Sequence, residues 1–417
     1  MQTRRVSFGL NPLELTREFG TPLYVVNLDT LEYNFLRFDR AMLAAGIDHG
    51  IFYAVKANPL LAILQRISQL GGGAEVVSLG ELEAARRAGF SSSKIIFNGP
   101  GKNVEEIGEA VESGVASINV ESIGELGVII QACKRTSKVA NVGFRVNPGV
   151  RASTHRYLQT GLKGGKFGLD PKSFREALRL CGRSRLLKPV CVHMHFGSQI
   201  GSVASFKSAC GALMGFVTLF RRTLRKSPCI VDVGGGFGLD YSTGRMSLDP
   251  ESFVRRALKP MISSRAWPAS CEVAVEPGRS IVGQAGLLAM KVLYVKQSGS
   301  VHWLITDSGM SDFIRTALYS DKHRIINASK PHGRPRKYFV GGPLCESGDV
   351  FGCYSLPETE PGDILLLLDA GAYGSSMSSN YNGRLRPATV AVSHGRAWPC
   401  ERRETVEDLF RRQSEPR

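Results

Sequence analysis

One repeated unit constrains this chain more than anything else in it. Short runs rich in Val and Ile recur as IFYAVKAN (51–58), GAEVVS (73–78), KIIFNG (94–99), ASINVES (116–122), NVGFRVNP (141–148), PVCVHMHFGS (189–198), PCIVDVGGGF (228–237) and CEVAVEPG (271–278). Between the early runs lie LLAILQRISQL and LGELEAARRAG, with apolar residues at three- and four-residue spacing, the period of a helix. A continuous apolar run is a strand covered on both faces, and amphipathic helices are what cover it, so the alternation predicts a parallel sheet. Eight such units predict an α/β fold, a closed (β/α)8 TIM-type barrel, with an open doubly wound sheet as the alternative.

After about residue 285 the rhythm changes. LLAMKVLYVKQ, VHWLITDSG, RKYFVGGPL, DILLLLDAG and ATVAVSHG are strand-like and joined by turns, which predicts a second, mostly antiparallel β domain. The early run PLYVVNL (22–28) joins it. A chain of 417 residues is too long for one ordinary core, and the expected division is a barrel over 28–285 with a β-rich domain built from 1–27 and 286–417.

Composition narrows the class. No predominantly apolar, uncharged run approaches the roughly 18 residues needed to span a membrane, and MQTRRVSFGLNPLEL lacks the apolar stretch of a signal peptide, so a cytoplasmic protein is expected. The nine cysteines are scattered without a CxxC pair, which argues against a disulfide framework and predicts no metal site. The net charge of +16 clusters at Arg221–Lys226 and Lys322–Lys337. A solvated surface explains it first, attraction of anionic substrates or an acidic partner second; no nucleic-acid motif accompanies it, and no nucleic-acid or membrane partner is expected.

Chemistry in a barrel sits where strands give way to βα loops. FYAVKANP places Lys56 at such an end, in an otherwise apolar run. An ionised lysine is rarely fully buried, and burial drives the amine toward the neutral, nucleophilic form. His195, the run Gly234-Gly235-Gly236 and Glu276 stand at three other strand ends. Each has a plain structural reading: a lysine that reaches solvent, a core histidine, a tight turn, a strand terminus. Together they match pyridoxal 5'-phosphate, whose aldehyde needs a lysine, whose phosphate needs backbone N–H donors and whose ring nitrogen needs an acid. His195 is placed to stack on the ring, and Arg279 to add charge at the phosphate or meet a substrate carboxylate.

These motifs carry a resemblance. FYAVKAN, EVVSLGEL, INVES, RVNPGV, THRYLQTGLKGGKFG, HFGSQI, GGGFG, EPGR, GMSDFIRTALY, GPLCESGD and GAYGSSMSSNYN occur, in this order, as in the fold-type III pyridoxal-phosphate decarboxylases, and the chain most resembles their diaminopimelate-acting branch from about Thr21 to Val392. The resemblance implies that Lys56 bonds the cofactor and that His195 stacks on it. Ser198, Gly235, Gly236 and the run Glu276, Pro277, Gly278 and Arg279 hold its phosphate and pyridine, with Tyr373 reaching the phosphate. It implies Arg279, Arg315, Tyr319, Glu346 and Tyr373 as substrate-binding groups and Cys345 as the acid that protonates carbon. Cys345 and Glu346 come from the second subunit of a homodimer. The implied activity is decarboxylation of meso-diaminopimelate to L-lysine. The Cys345-Glu346-Ser347-Gly348-Asp349 pattern follows that branch, whereas ornithine-type enzymes resemble Cys-Asp. Glu75, Thr316, Ser308 and the basic segment after Tyr319 depart from the family pattern. They leave as alternatives an ornithine-, lysine- or arginine-type or carrier-tethered substrate, then a non-catalytic partner-binding relative.

Overall fold

A computed structural model describes residues 10–150 and 164–414; most of the THRYLQTGLKGGKFG motif lies outside them. The described residues form two units. One comprises Glu32–Leu239 and Met246–Ile281; the other gathers the residues up to Leu31, Asp240–Arg245 and those from Val282 onward.

Strand β1 (Leu23–Asn27) belongs to the second unit. The first is a barrel of eight parallel strands: β2 (His49–Ala54), β3 (Gly73–Val76), β4 (Ile95–Phe97), β5 (Ser117–Val120), β6 (Ala140–Val146), β7 (Leu187–Met194), β8 (Ile230–Asp232) and β9 (Glu272–Val275). It closes where β9 pairs with β2, with Val273, Ala274 and Val275 opposite His49, Gly50 and Ile51. Every residue of β3, β4, β5 and β8 is buried, which is why these strands read as continuous apolar runs. Phe52, Ile96, Val190, Cys191, Ile230 and Ala274 pack in one cluster, each large apolar side chain contributing about 1.5–3 kcal/mol.

The strands are shorter than the apolar runs. β2 stops at Ala54 and Lys56 sits in the single 3-10 turn Val55–Ala57; β7 stops at Met194, one residue before His195. The 22-residue helix Val203–Leu224 is long and apolar enough to cross a membrane by length and composition, with Lys207 in its first turns. Its Phe206, Leu213, Val217 and Phe220 are buried inside the unit. Phe206 also stacks on Phe237 at 5.0 Å, and Phe38 and Phe253 meet the same ring edge-on at 4.9 and 4.8 Å. Phe237 directly follows the glycine run, so this aromatic cluster anchors the loop that carries the glycines.

The second unit holds a nine-stranded sheet. After β1 come β10 (Gly286–Ser298), β11 (Val301–Thr306), β12 (Ile325–Asn327), β13 (Pro335–Gly341), β14 (Val350–Pro357), β15 (Ile364–Leu367), β16 (Ala388–Ser393) and β17 (Arg396–Glu401). The main path runs β14-β13-β11-β10-β1-β16-β17, with β15 pairing β10 and β12. Six pairings are antiparallel; β1 with β16 and β11 with β13 are parallel.

Candidate active site

The glycine run sits where only glycine fits. A Cβ at Gly234, Gly235 or Gly236 would lie 2.2, 2.0 or 2.1 Å from the carbonyl oxygens of Met194, Glu276 and Gly197. The bare backbone therefore packs between the loops that follow β7 and β9. Beside it, His195 Nδ1 accepts the Gly235 N–H at 3.3 Å, so the ring proton lies on Nε2. Burial, then repulsion from Arg145 and Lys56, holds the His195 pKa well below its ordinary value, and the imidazole is neutral. Arg279 Nη2 donates to Ser198 Oγ at 3.1 Å.

Lys56 is not the sealed amine that its apolar context suggests. Its side chain is 37% exposed and its ammonium pairs with the buried carboxylate of Glu75. From there a polar chain crosses the barrel. Asn98 Nδ2 donates to Glu75 Oε1 at 3.1 Å and to Glu276 Oε1 at 2.6 Å, and its Oδ1 accepts from Asn119 Nδ2 at 2.7 Å. Glu276 Oε2 meets His193 Nε2 at 3.2 Å.

Beneath Glu276 lies Asp232, whose Oδ1 accepts the Gly234 N–H at 2.8 Å. Burial, then the charge of Glu276, pushes the Asp232 pKa well above the carboxylate range. Burial acts on Glu276 in the same sense, yet the pull and hydrogen bond of His193, then the charge of Lys56, take it below that range. Burial and the mutual repulsion of the two carboxylates thus favour the proton on Asp232 and the charge on Glu276. Donor atoms of His193, Asp232 and Glu276 lie within 4.8 Å of one another, and Glu276 is held there by hydrogen bonds with Asn98 and His193. Glu81, whose Oε2 accepts the Val77 N–H at 2.8 Å, is raised to about 7 by burial and then by Glu75.

Lys56, Asn98, Arg145, Phe167, His195 and Glu276 are among the residues lining a cavity of about 380 Å³ in this unit. Arg145 is fixed there by Glu121 at 2.7 Å and by the Phe167 ring, 4.6 Å from its guanidinium carbon. Pro277 and Gly278 are buried; a Cβ on Gly278 would meet Ala57 Cβ at 2.9 Å, so the EPGR loop lies against the turn carrying Lys56.

The other candidates belong to the β-rich unit. Arg315, Tyr319 and Tyr373 come together: the guanidinium carbon lies 4.9 Å from the Tyr319 ring centre and 5.4 Å from that of Tyr373. Cys345 and Glu346 stand exposed on a turn whose base is Asp349, which accepts the Met310 and Leu344 N–H groups at 2.6 and 2.8 Å. Glu346 itself accepts from Gly348 N–H at 3.3 Å, within the turn.

Comparison with known proteins decides the family. The model of the pyridoxal-binding domain of pyridoxal-dependent decarboxylases matches residues 28–283. The diaminopimelate decarboxylases of Methanocaldococcus jannaschii and Archaeoglobus fulgidus are 37% and 38% identical, over 96% and 98% of this chain and 93% and 96% of theirs. The chain belongs to the diaminopimelate decarboxylase branch of the pyridoxal-dependent decarboxylases. A solved decarboxylase of this branch, from Helicobacter pylori in complex with L-lysine, superposes with a TM-score of 0.90 at 35% identity, covering 96% of this chain and 98% of that one.

The protein is accordingly a pyridoxal-phosphate-dependent carboxy-lyase. Its residues fit the cofactor: a cradle closed to any Cβ, a lysine at a cavity wall and an ionised buried carboxylate for the ring nitrogen. Sequence reading missed Asn98, His193 and Asp232. Asn98 and Asp232 stand at strand ends of their runs, and His193 precedes His195 by two residues, so it shares the inward side. Those positions were the available signal.

Proposed function

We propose that this decarboxylase acts on meso-diaminopimelate and releases L-lysine and carbon dioxide. One observation carries the reading: similarity to enzymes of that name runs through the β-rich unit as well as the barrel, over 96% of the chain. That unit holds Arg315 and Glu346, which suit a substrate with a distal carboxylate and a distal ammonium.

Pyridoxal phosphate supplies, when bound, an aldehyde that captures amines and a ring that accepts the electrons left by departing carbon dioxide. Lys56 is the amine the cofactor is held by, and Glu75 keeps it oriented toward the cavity. Glu276, fixed by Asn98 and His193, keeps a negative charge where the ring nitrogen needs a proton. Neutral His195 offers a flat uncharged face for stacking. Ser198, Gly235, Gly236, Pro277, Gly278, Arg279 and Tyr373 are assigned to the cofactor's polar ends, Arg279 also to a substrate carboxylate. Cys345 is the proton donor to carbon. Its exposed turn suits donation to a second subunit, and we place the active site in a cytoplasmic homodimer that exchanges Cys345 and Glu346 between subunits.

The test is carbon dioxide release by the purified holoenzyme from meso-diaminopimelate, its L,L isomer, lysine, ornithine and arginine. Turnover of the meso isomer above the rest is expected. Release from ornithine but not from meso-diaminopimelate overturns the assignment.

A further inference from the structure

Arg315 is almost wholly buried, with 1% of its surface exposed. A buried donor without an acceptor costs about 1–3 kcal/mol, so the partners of this guanidinium matter. Nη2 donates to Asp321 Oδ2. Among the described residues Nε has no hydrogen-bond partner. Nε and Nη2 form one edge of the guanidinium, an edge on which a carboxylate docks through two parallel bonds. Asp321 holds one corner of that edge and leaves the other unfilled.

The backbone explains how Asp321 comes to be there. The five-residue helix Arg315–Tyr319 ends at Ser320, whose φ of 55° is left-handed. That conformation is uncommon for a residue with a Cβ, and it turns the chain so that residue 321 faces the guanidinium. The Asp321 side chain is 15% exposed, against 1% for that of Arg315. The acid is thus the member of the pair with a route toward water, while the guanidinium carbon lies 4.9 and 5.4 Å from the ring centres of Tyr319 and Tyr373.

We propose that Asp321 is an internal carboxylate that competes with the second carboxylate of a substrate for Arg315, and so sets the selectivity of the enzyme between dicarboxylic and monocarboxylic amino acids. This rests on the substrate reading above and deepens it. An incoming carboxylate that takes both Nε and Nη2 satisfies the donor that Asp321 leaves without a partner. Asp321 swings toward solvent and is rehydrated. A substrate lacking the second carboxylate has nothing to exchange, and the Arg315–Asp321 pair stays closed beside it.

The test uses holoenzyme and two non-reacting probes, pimelate and hexanoate, with affinities measured by titration calorimetry. Asp321→Asn keeps the shape of the competitor and removes its charge; Asp321→Ala removes it entirely. Both are expected to bind pimelate roughly tenfold more tightly than wild type, with hexanoate unchanged. Asp321→Glu should restore the wild-type ratio. The KM for meso-diaminopimelate should fall in the Asn variant, with kcat within about twofold of wild type, while the KM for lysine should not fall. Variants that melt like wild type yet bind pimelate equally or more weakly overturn the proposal and make Asp321 a residue that only positions Arg315. A wild type that ignores meso-diaminopimelate removes the substrate reading alone, because the pimelate shift decides the role of Asp321 without turnover.

Discussion

Two ion pairs mark the difference between the two units. In the barrel, Lys56 and Glu75 are one link in a connected chain that continues through Asn98 to Glu276 and His193. In the β-rich unit, Arg315 and Asp321 leave a guanidinium donor unfilled, and Cys345 and Glu346 stand on an exposed turn. A polar network whose members are linked from strand to strand holds its charges in place before any substrate arrives. An arginine with an open corner and a turn with exposed reactive groups are arranged to be completed by something else. On the function proposed above, the barrel carries the chemistry common to the family, and the β-rich unit carries the proposed choice of substrate.

The largest effect expected is at Lys56. Lys56→Ala should lower kcat by about a thousandfold or more, ~4 kcal/mol, and abolish the visible absorbance of the bound cofactor while far-ultraviolet circular dichroism is kept. Retained turnover would move the chemistry out of the barrel and collapse the comparison.

Next comes the acid load of the barrel. Glu81 is raised from 4.5 to about 7 by burial and by Glu75. Between those values the folded chain keeps a proton that the unfolded chain has released, so stability falls as pH rises through the window, by about 3 kcal/mol in all. Glu81→Gln should be free of that loss. Urea unfolding of wild type and variant should agree near pH 4.5 and separate, in favour of the variant, above pH 7; parallel curves would show that Glu81 titrates alike in the folded and unfolded chain.

Glu276→Gln removes the charge that opposes the ring nitrogen. A loss of about a hundredfold in kcat with KM little changed is expected, and a loss confined to KM would take Glu276 out of the electronic role. Glu346→Ala tests the other unit. It should cost about 2 kcal/mol in kcat/KM for meso-diaminopimelate, with cofactor affinity unchanged; equal losses in both would make the turn structural. The smallest signal is a restoration. Mixing Lys56→Ala with Cys345→Ala subunits should recover about a quarter of wild-type activity, because roughly half the dimers are mixed and each carries one intact site. No recovery after demonstrated subunit exchange would place Cys345 in the site of its own chain.

The barrel was legible because parallel strands buried on both faces leave unbroken apolar runs, and eight of them admit few architectures. The antiparallel character of the second sheet was legible from its turns. Its two parallel pairings were not, since the sequence of β1 carries nothing that points it at β16 rather than another neighbour. Lys56, His195 and Glu276 stood out as polar residues in apolar surroundings. Their partners did not. Asn98 reaches Glu276 across 178 residues, and Glu75 meets Lys56 because the register sets Ala54 beside Glu75. Both facts belong to strand pairing, which no local pattern encodes. Asp321 was hidden for another reason: its contact with Arg315 depends on one left-handed residue, Ser320, where the sequence offers no glycine to mark the turn.

Closure of the barrel between β2 and β9 bears on how the protein is made. The outer edge of β2 finds its partner only in Val273–Val275, so a nascent chain emerging from the ribosome carries an open, apolar strand edge until nearly all of the barrel has been translated. An unpaired edge of that kind invites pairing with other chains. Shortened products ending before β9 would consequently be aggregation-prone species lacking the carboxylate for the ring nitrogen, rather than weak enzymes.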